Sequence, residues 1–154
     1  MKKILYFSNS KFPLAGLAGA IHAGSLPLGR EPEASEIWGL QSLNIERCDE
    51  GKILSLGSDE RGNEIYALSV KGERGMTHRL VESFLEIYGI PEDGFRLVDT
   101  GMKDNLYMLA GRALFCFRFL LPVARFFAYA GIKKSYAGLS RLVSDVRCGT
   151  ANLP

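Results

Sequence analysis

Strand-like and helix-like segments alternate along the 154 residues of this chain, and their order limits the fold more than any other feature. Ile4-Leu5-Tyr6-Phe7 predicts a short buried strand, and Pro13 suits the first turn of a helix because no N–H is needed there. Continued to the end, the pattern predicts the order β-α-α-β-β-α-β-α-β-α. Such alternation is typical of a mostly parallel sheet between helical layers. We therefore expect an α/β protein with a single three-layer αβα Rossmann-like domain over residues 1–148 and a frayed C-terminal tail over 149–154.

Two segments in the middle of the chain have clear periodic signals. Residues 52–56 and 64–70 flank a turn rich in Asp, Gly and Asn, which predicts one antiparallel hairpin within the sheet. Residues 76–88 form an amphipathic helix, whose apolar side is expected to comprise Leu80, Val81, Phe84, Leu85 and Tyr88.

The last third of the chain divides into elements less clearly. A helix is expected over 104–121, with Pro122 ending it. Residues 123–130 favour a strand, with a helix as the alternative, and Ser135 is expected to cap the final helix. The aromatic residues of this region are assigned to the core, because no glycine-aromatic RNA-binding signature accompanies them; they are Phe115, Phe117, Phe119, Phe126 and Phe127.

Charge is unevenly distributed, although the formal net charge is only +2. Residues 1–100 hold 11 Lys/Arg and 15 Asp/Glu, whereas residues 101–154 hold 8 and 2. The basic part is also the most apolar, from Arg112 to Lys134, which is typical of a surface that meets a membrane or an acidic protein partner. An ordinary core helix and strand with arginines at the rim is the alternative. A homodimer contact is a third reading, because an apolar helix at 106–121 can be incompletely covered within one domain.

Composition places the chain among ordinary globular proteins. It is 47% hydrophobic and 23% charged, which excludes collagen, a coiled-coil rod and a wholly disordered chain. A net charge this small predicts no nucleic-acid partner. No secretory signal and no transmembrane segment are predicted, because arginines and a proline interrupt the most apolar stretch. Cys48, Cys116 and Cys148 form no C-x-x-C pair, so we expect a reduced, cytoplasmic protein with Cys116 buried.

Ligands of open α/β sheets bind outside the carboxyl ends of the strands, and three places in this chain match that rule. The first is the turn after strand one, whose N–H groups can face an anion at a helix N-terminus. The second follows strand two, with an ordinary hairpin turn as the alternative. The third follows the strand at 95–98, where Asp99 is also a candidate helix N-cap. Together they predict a site for a phosphorylated small molecule that comprises Ser8, Ser10, Lys11, Ser58, Asp59, Asp99, Thr100 and Asn105.

Motifs for catalysis and for metals do not appear in the sequence. The turn after strand one matches neither of the glycine-rich nucleotide loops, and no nucleophile elbow is present. No pair of histidines has zinc-ligand spacing, so no metal site is predicted. Catalytic residues and cofactors therefore stay unassigned, and the sequence leaves open whether the protein is an enzyme. The two histidines indicate no function by themselves, although His22 lies near the end of the first helix, where a cationic ring would complement the helix dipole.

A set of segments in matching order spans roughly residues 3–146, and the hairpin is its strongest element. The segments read AIHAGSLP at 20–27, DEGKI at 49–53 and GSDERGNEIY at 57–66, followed by Val98-Asp99-Thr100, Asn105, Gly111 and Lys134-Ser135-Tyr136. They resemble an uncharacterised family of spore-forming Firmicutes, the domain of unknown function DUF3189. The resemblance implies a sporulation-associated bacterial context and supplies no reaction or cofactor.

The chain departs from this family's pattern in the turn after strand one. Typical members carry paired glycines, a histidine and two serines there, where this chain reads Ser10-Lys11-Phe12-Pro13-Leu14-Ala15. The departure removes most side-chain donors from the turn and leaves a backbone anion site at best. The sequence therefore favours a protein of unknown molecular function that acts as an interaction module through its basic, apolar C-terminal region. The alternative is a phosphate- or nucleotide-binding domain, including a degenerate enzyme.

Overall fold

Four strands form one sheet in a computed structural model that describes residues 2–40, 43, 51–70, 74–87, 89, 91 and 94–149. The strands are β1 (Lys3–Ser8), β2 (Ile53–Ser58), β3 (Glu64–Ser69) and β4 (Phe95–Asp99), in the spatial order β2-β3-β1-β4. β1 runs parallel to both β3 and β4, whereas β2 is antiparallel to β3. The prediction of a mostly parallel sheet with one antiparallel hairpin is therefore confirmed.

Five α-helices accompany the sheet within the described residues: α1 (Leu14–His22), α2 (Ala34–Trp38), α3 (Arg74–Ile87), α4 (Leu106–Leu114) and α5 (Leu121–Cys148). A short 3-10 turn, Arg118–Leu120, joins α4 to α5. Cys48, Tyr88 and the residues 150–154 of the expected tail lie outside the described part of the chain, as do the side chains of Phe84 and Leu85.

The expected strand at 123–130 is wrong, because α5 is one continuous helix of 28 residues. Pro122 lies in its first turn, where a proline starts a helix instead of ending one. Ser135 accordingly lies inside α5 and does not cap it. The buried side of α5 recurs every three or four residues along its whole length: Ala124, Ala128, Gly131, Ile132, Tyr136, Leu139, Val143 and Val146. This helical period extends through 123–130, where the run of apolar residues conceals it.

The residues of β1 alternate between the two faces of the sheet, as a strand buried on both sides requires. Ile4 and Tyr6 belong to the main core with α1 and the second half of α5. Leu5 and Phe7 belong to a second cluster, against which Val81 of α3 packs. Leu80 is 57% exposed, so its assignment to the apolar side of α3 is wrong: this helix turns Val81 toward the sheet.

Helix α1 is buried along its whole length, and its glycines explain how closely it approaches its neighbours. A Cβ at Gly16 would overlap the side chain of Leu43, and a Cβ at Gly19 would overlap that of Leu56 in β2. The two glycines therefore let α1 pack closely against the side chains of Leu43 and Leu56. In the part of the chain that the structure describes, no helix is long and apolar enough to cross a membrane.

Candidate functional site

The predicted ligand residues divide between the two edges of the sheet. β1 and β4 are parallel, so Ser8 and Asp99 end side by side, and Thr100 N donates to Phe7 O at 3.1 Å. Ser58 instead pairs with Glu64 at the start of β3, which pairs with Lys3 at the start of β1. The expectation that all eight residues meet at one edge is therefore wrong for Ser58 and Asp59. Because β2 is antiparallel, its carboxyl end lies at the amino edge of the parallel strands.

The turn after β1 already holds an anion, and that anion is a side chain of the same molecule. The carboxylate of Asp104 accepts hydrogen bonds from Lys11 N at 2.8 Å and from Phe12 N at 3.2 Å, and it lies in hydrogen-bond contact with the Ser10 hydroxyl. Successive N–H groups that converge in this way form an anion-binding concavity. An external phosphate would have to displace Asp104 from these donors.

Asp104 was missed by the sequence analysis because it lies 93 residues from Lys11. The only local signal is an acidic residue in the turn between a strand end and a helix N-cap. The N-cap itself is Asn105, whose Oδ1 accepts from Met108 N at 2.9 Å. The Asn105 amide also donates to Gly131 O at 2.8 Å, so its contacts join α4 to α5.

The other predicted residues at the carboxyl edge are engaged in turns or buried. Asp99 accepts from Gly101 N at 2.9 Å, which stabilises the turn after β4, so Asp99 is not the helix N-cap. Ser8 and Thr100 are buried, and their hydroxyl groups find no hydrogen-bond partner among the described residues. The carboxyl edge therefore offers backbone donors that are already paired and hydroxyl groups without access to solvent.

Asp59 organises a polar cluster at the opposite, amino edge. Its carboxylate accepts from Arg61 N at 2.9 Å and from Asn63 N and Nδ2, both at 2.8 Å, which lowers its pKa although burial opposes this. His22 Nε2 lies 3.4 Å from Asp59 Oδ2, and the Tyr6 hydroxyl lies 2.7 Å from His22 Nδ1. These contacts attach the β2–β3 turn to the end of α1.

The surroundings of His22 make its ring harder to protonate, which weighs against a cation at the end of α1. Burial and the nearby Arg147 lower its pKa, and they outweigh the opposite effect of Asp59. The carboxylate of Asp59 favours the tautomer with the proton on Nε2, in which the Tyr6 hydroxyl donates to Nδ1. Burial raises the pKa of this hydroxyl.

A cavity of about 740 Å³ lies next to this cluster, and cations line it. Arg61 and Arg96 donate to the carbonyls of Arg147 and Val146, and Arg147 donates to the carbonyl of His22. The arginines therefore bind the carbonyl ends of α1 and α5, where positive charge stabilises a helix. These contacts are those of a structural polar cluster that fixes the two helices to the hairpin.

An exposed apolar surface lies on a helical arm formed by residues 106–127, which comprises α4, the 3-10 turn and the first part of α5. Phe119 is 79% exposed, Phe126 68% and Phe117 53%, and Cys116 is exposed as well. The assignment of these phenylalanines and of Cys116 to the core is therefore wrong. Large side chains on this arm face outward where a globular core would have turned them inward.

Small residues at the contact between α4 and α5 explain this inversion. A Cβ at Gly111 would lie 2.8 Å from Ala128 N, and a Cβ at Gly131 would lie 2.9 Å from Met108 N. Ala124 and Ala128 are also fully buried at this contact. Glycine and alanine let the two backbones approach closely, with Met108 of α4 buried against Gly131, and the phenylalanines lie on the outer sides. The spacing of Ala124, Ala128 and Gly131 was the signal that sequence reasoning overlooked.

The arm is cationic as well as apolar. No Asp or Glu occurs between residues 106 and 144. The arm itself holds Arg112, Arg118 and Arg125, and Lys133, Lys134 and Arg141 follow along α5. One side of the arm is covered by the segment before β2, since Trp38 packs edge-on to Phe115 and Arg125 lies 5.3 Å from the Trp38 ring centroid. Tyr129 also donates to Pro32 O at 3.1 Å. The exposed phenylalanines extend from the rest of the arm.

The fold and its contacts define a mixed α/β protein in which the turn after β1 binds the carboxylate of Asp104. Its helical arm is exposed and cationic. The chain belongs to the DUF3189 family of proteins of unknown function, which it matches over residues 3–148. The family resemblance seen in the sequence is thereby confirmed. No curated protein and no solved structure matches the chain.

Proposed function

We propose that this protein is a non-enzymatic interaction module that binds its partner through the helical arm. The observation that carries the proposal is the exposure of Phe117, Phe119 and Phe126 within a stretch of the chain, residues 106–144, that contains no acidic residue. Large apolar groups grouped on a protein surface are typical of interaction sites, whereas scattered single ones are not. Burial of one phenylalanine side chain contributes about 1.5–3 kcal/mol, so three of them supply a useful part of a binding free energy.

The packing of the arm supports its role as a rigid binding element. Gly111 and Gly131 bring α4 and α5 into backbone contact, and the Asn105 amide connects them at the base. Preformed helices lose little conformational entropy when a partner binds. The arm is therefore an ordered surface whose apolar groups are already presented.

Phosphate or nucleotide binding, the alternative function, meets a specific obstacle. The turn that would hold the anion donates its N–H groups to Asp104, and Pro13 removes a further donor at the start of α1. A ligand at this edge would compete with a carboxylate that is covalently part of the same fold. We therefore place this function second.

The wider setting of the protein is also part of the proposal. The family resemblance supports a sporulation-associated role in spore-forming Firmicutes, and the absence of paired cysteine motifs supports a cytoplasmic location. Classification as a three-layer Rossmann-like domain is proposed on the same footing, from helices that pack on both faces of the sheet. Measurement of the protein's abundance during growth and sporulation of a bacterium that carries it tests the biological part.

Binding to defined acidic probes tests the module. The full chain is mixed with poly-L-glutamate and, separately, with vesicles of equal parts phosphatidylcholine and phosphatidylglycerol. We expect binding to at least one probe, which weakens as salt rises because exposed charges are screened. Phe119→Ser should reduce that binding, whereas Leu80→Ser, an exposed apolar residue on α3, should not. A wild-type chain that ignores both probes, or equal loss in the two variants, contradicts the proposal.

A further inference from the structure

We propose that the partner of the helical arm is the surface of an anionic lipid bilayer, into which the arm inserts its end. The inference rests on the proposed function and names the partner of that same surface. We call Phe117, Phe119, Val123 and Phe126 the tip residues; all four are exposed large apolar residues around the connection between α4 and α5.

The base of the arm is fixed at the carboxyl edge of the sheet, and the tip residues lie at the other end of the arm. Asp104, just before α4, is hydrogen-bonded to the turn at that edge, and the Asn105 amide donates to Gly131 O of α5. The second half of α5 packs in the core through Leu139 and Val143. Residues 121–130 of α5 therefore span about 15 Å, at 1.5 Å per residue, between the start of this helix and the base.

The shape of the tip favours a lipid surface over a protein. Phe117 and Phe119 lie in the connecting turn with their rings edge to face and 6.2 Å apart, whereas Val123 and Phe126 belong to the first turns of α5. The tip residues therefore come from a turn and from one side of the helix that follows it. A rigid protein partner would need a surface matched to both, whereas the fluid interface of a bilayer adapts to the side chains that enter it.

Charge specifies which lipid this surface fits. Arg118 separates the two phenylalanines of the turn, and Arg125 precedes Phe126, so long cationic side chains flank the apolar tip. Such side chains extend along apolar surface and keep their charge at the level of the headgroups. Lys134 lies about two turns farther along α5, whereas its neighbour Lys133 is paired with Glu31 at 2.7 Å. Residues 106–127 themselves contain no carboxylate. Phenylalanine with flanking cations is the composition of peripheral segments that bind anionic leaflets.

The chain would lie on the bilayer without crossing it. No described helix is long and apolar enough to span a membrane, and the tip involves only a few residues of each helix. A reversible, peripheral contact is the expected result.

Vesicle co-sedimentation of the full chain tests the proposal. We expect binding to vesicles of equal parts phosphatidylcholine and phosphatidylglycerol, and at least tenfold weaker binding to phosphatidylcholine alone. Phe119→Ser and Phe126→Ser should each weaken partitioning about tenfold, and Arg118→Gln about fivefold at low salt. The matched controls on α3, Leu80→Ser and Arg79→Gln, should bind as the wild type does, and thermal melts of every variant verify folding.

Insertion of the tip is measured with a fluorescent reporter. Trp38 is the single tryptophan of the chain, so a variant with Trp38→Phe and Phe119→Trp carries its only indole at the tip. Its emission should shift to the blue on anionic vesicles and be quenched by brominated lipid, whereas the same reporter at Leu80 should not respond.

Three results would overturn the bilayer proposal, and they differ in whether the proposed function survives. If poly-L-glutamate binds through the tip and anionic vesicles do not, the partner is an acidic protein and the proposed function survives. If the purified chain is a dimer that Phe119→Ser dissociates, a second copy covers the tip. If the wild type binds neither probe and is monomeric, the proposed function falls as well.

Discussion

The carboxylate of Asp104 lies 2.8 Å from the backbone nitrogen of Lys11, which joins the loop before α4 to the turn after β1. In many α/β proteins the corresponding N–H groups face a bound phosphate. In this chain the anion is supplied internally, and it holds the base of the helical arm against the sheet. The turn where a ligand is expected therefore connects two parts of the fold, the strand β1 and the loop before α4.

Loss of the charged contact between Asp104 and the turn after β1 should destabilise the fold and make the N–H groups of that turn available to an external anion. Asp104→Asn keeps the shape of the side chain and removes its charge, so N–H groups of the turn lose a charged acceptor. We expect the free energy of unfolding in urea to fall by about 1–3 kcal/mol. Added inorganic phosphate should raise the melting temperature of the variant more than that of the wild type, because the N–H groups of the turn, no longer paired with a carboxylate, can donate to a phosphate.

Glu60→Gln, an exposed carboxylate at the opposite edge, is the matched control for loss of one negative charge. It should leave both the stability and the response to phosphate close to those of the wild type. An Asp104→Asn variant as stable as the wild type would show that the turn does not depend on this carboxylate.

The sheet could be predicted from local pattern, and the arm could not. Residues 4–7 and 64–69 show apolar runs or alternation that specify strands, and the prediction was confirmed for both. Residues 123–130 are almost all apolar, so neither the helical repeat nor the alternation of a strand stands out. The strand assignment there was wrong. Exposure of Phe119 and Phe126 depends on the close contact of Gly111 with Ala128, which is 17 residues away and has no local signal.

The predicted site residues likewise divide into those whose position follows from local pattern and those whose position depends on the tertiary structure. Ser8 and Asp99 could be placed at one edge because the direction of their strands follows from the alternation with helices. The position of Asp59 depends on β2 being antiparallel, so the hairpin prediction already implied the opposite edge. The long-range partners Asp104 and His22 required the tertiary structure.

Gly111 should not tolerate a methyl group, although alanine is the better helix former. The added Cβ would lie 2.8 Å from Ala128 N and 3.1 Å from Ala124 O, which are backbone atoms that cannot move independently. We expect Gly111→Ala to lower the free energy of unfolding by about 1–3 kcal/mol through overpacking. Chemical denaturation measures the change.

Gly75 in α3 is the matched comparison, since among the described residues no heavy atom outside its own helix backbone and chain neighbours lies within 4 Å of its added Cβ. There the substitution to alanine should be neutral or stabilising by up to about 1 kcal/mol, from helix propensity alone. Equal effects at the two glycines would contradict the close packing of α4 on α5.

Cys116 should report on the contact of the arm with its partner. Both Cys116 and Cys148 are exposed, Cys116 next to the tip residues and Cys148 at the far end of α5. In a Cys48→Ser background, a maleimide should label both thiols in the folded chain. Anionic vesicles should slow labelling of Cys116 several-fold and leave Cys148 unchanged, as mass spectrometry of the labelled peptides will show. Protection of both thiols to the same extent would indicate non-specific adsorption.

His22 should make the fold less stable as the pH falls from about 7.5 to 5.5. Its pKa is lowered in the folded chain, so the unfolded chain binds a proton first as the pH drops through the ordinary value of 6.5. Since stability rises with pH wherever the unfolded state holds more protons, this histidine adds a slope of at most about 1.4 kcal/mol per pH unit. Asp59, whose pKa is lowered, affects stability only at more acidic pH.

His22→Gln should flatten the slope between pH 7.5 and 5.5 even if it lowers stability overall. A slope unchanged by His22→Gln would assign it to other groups.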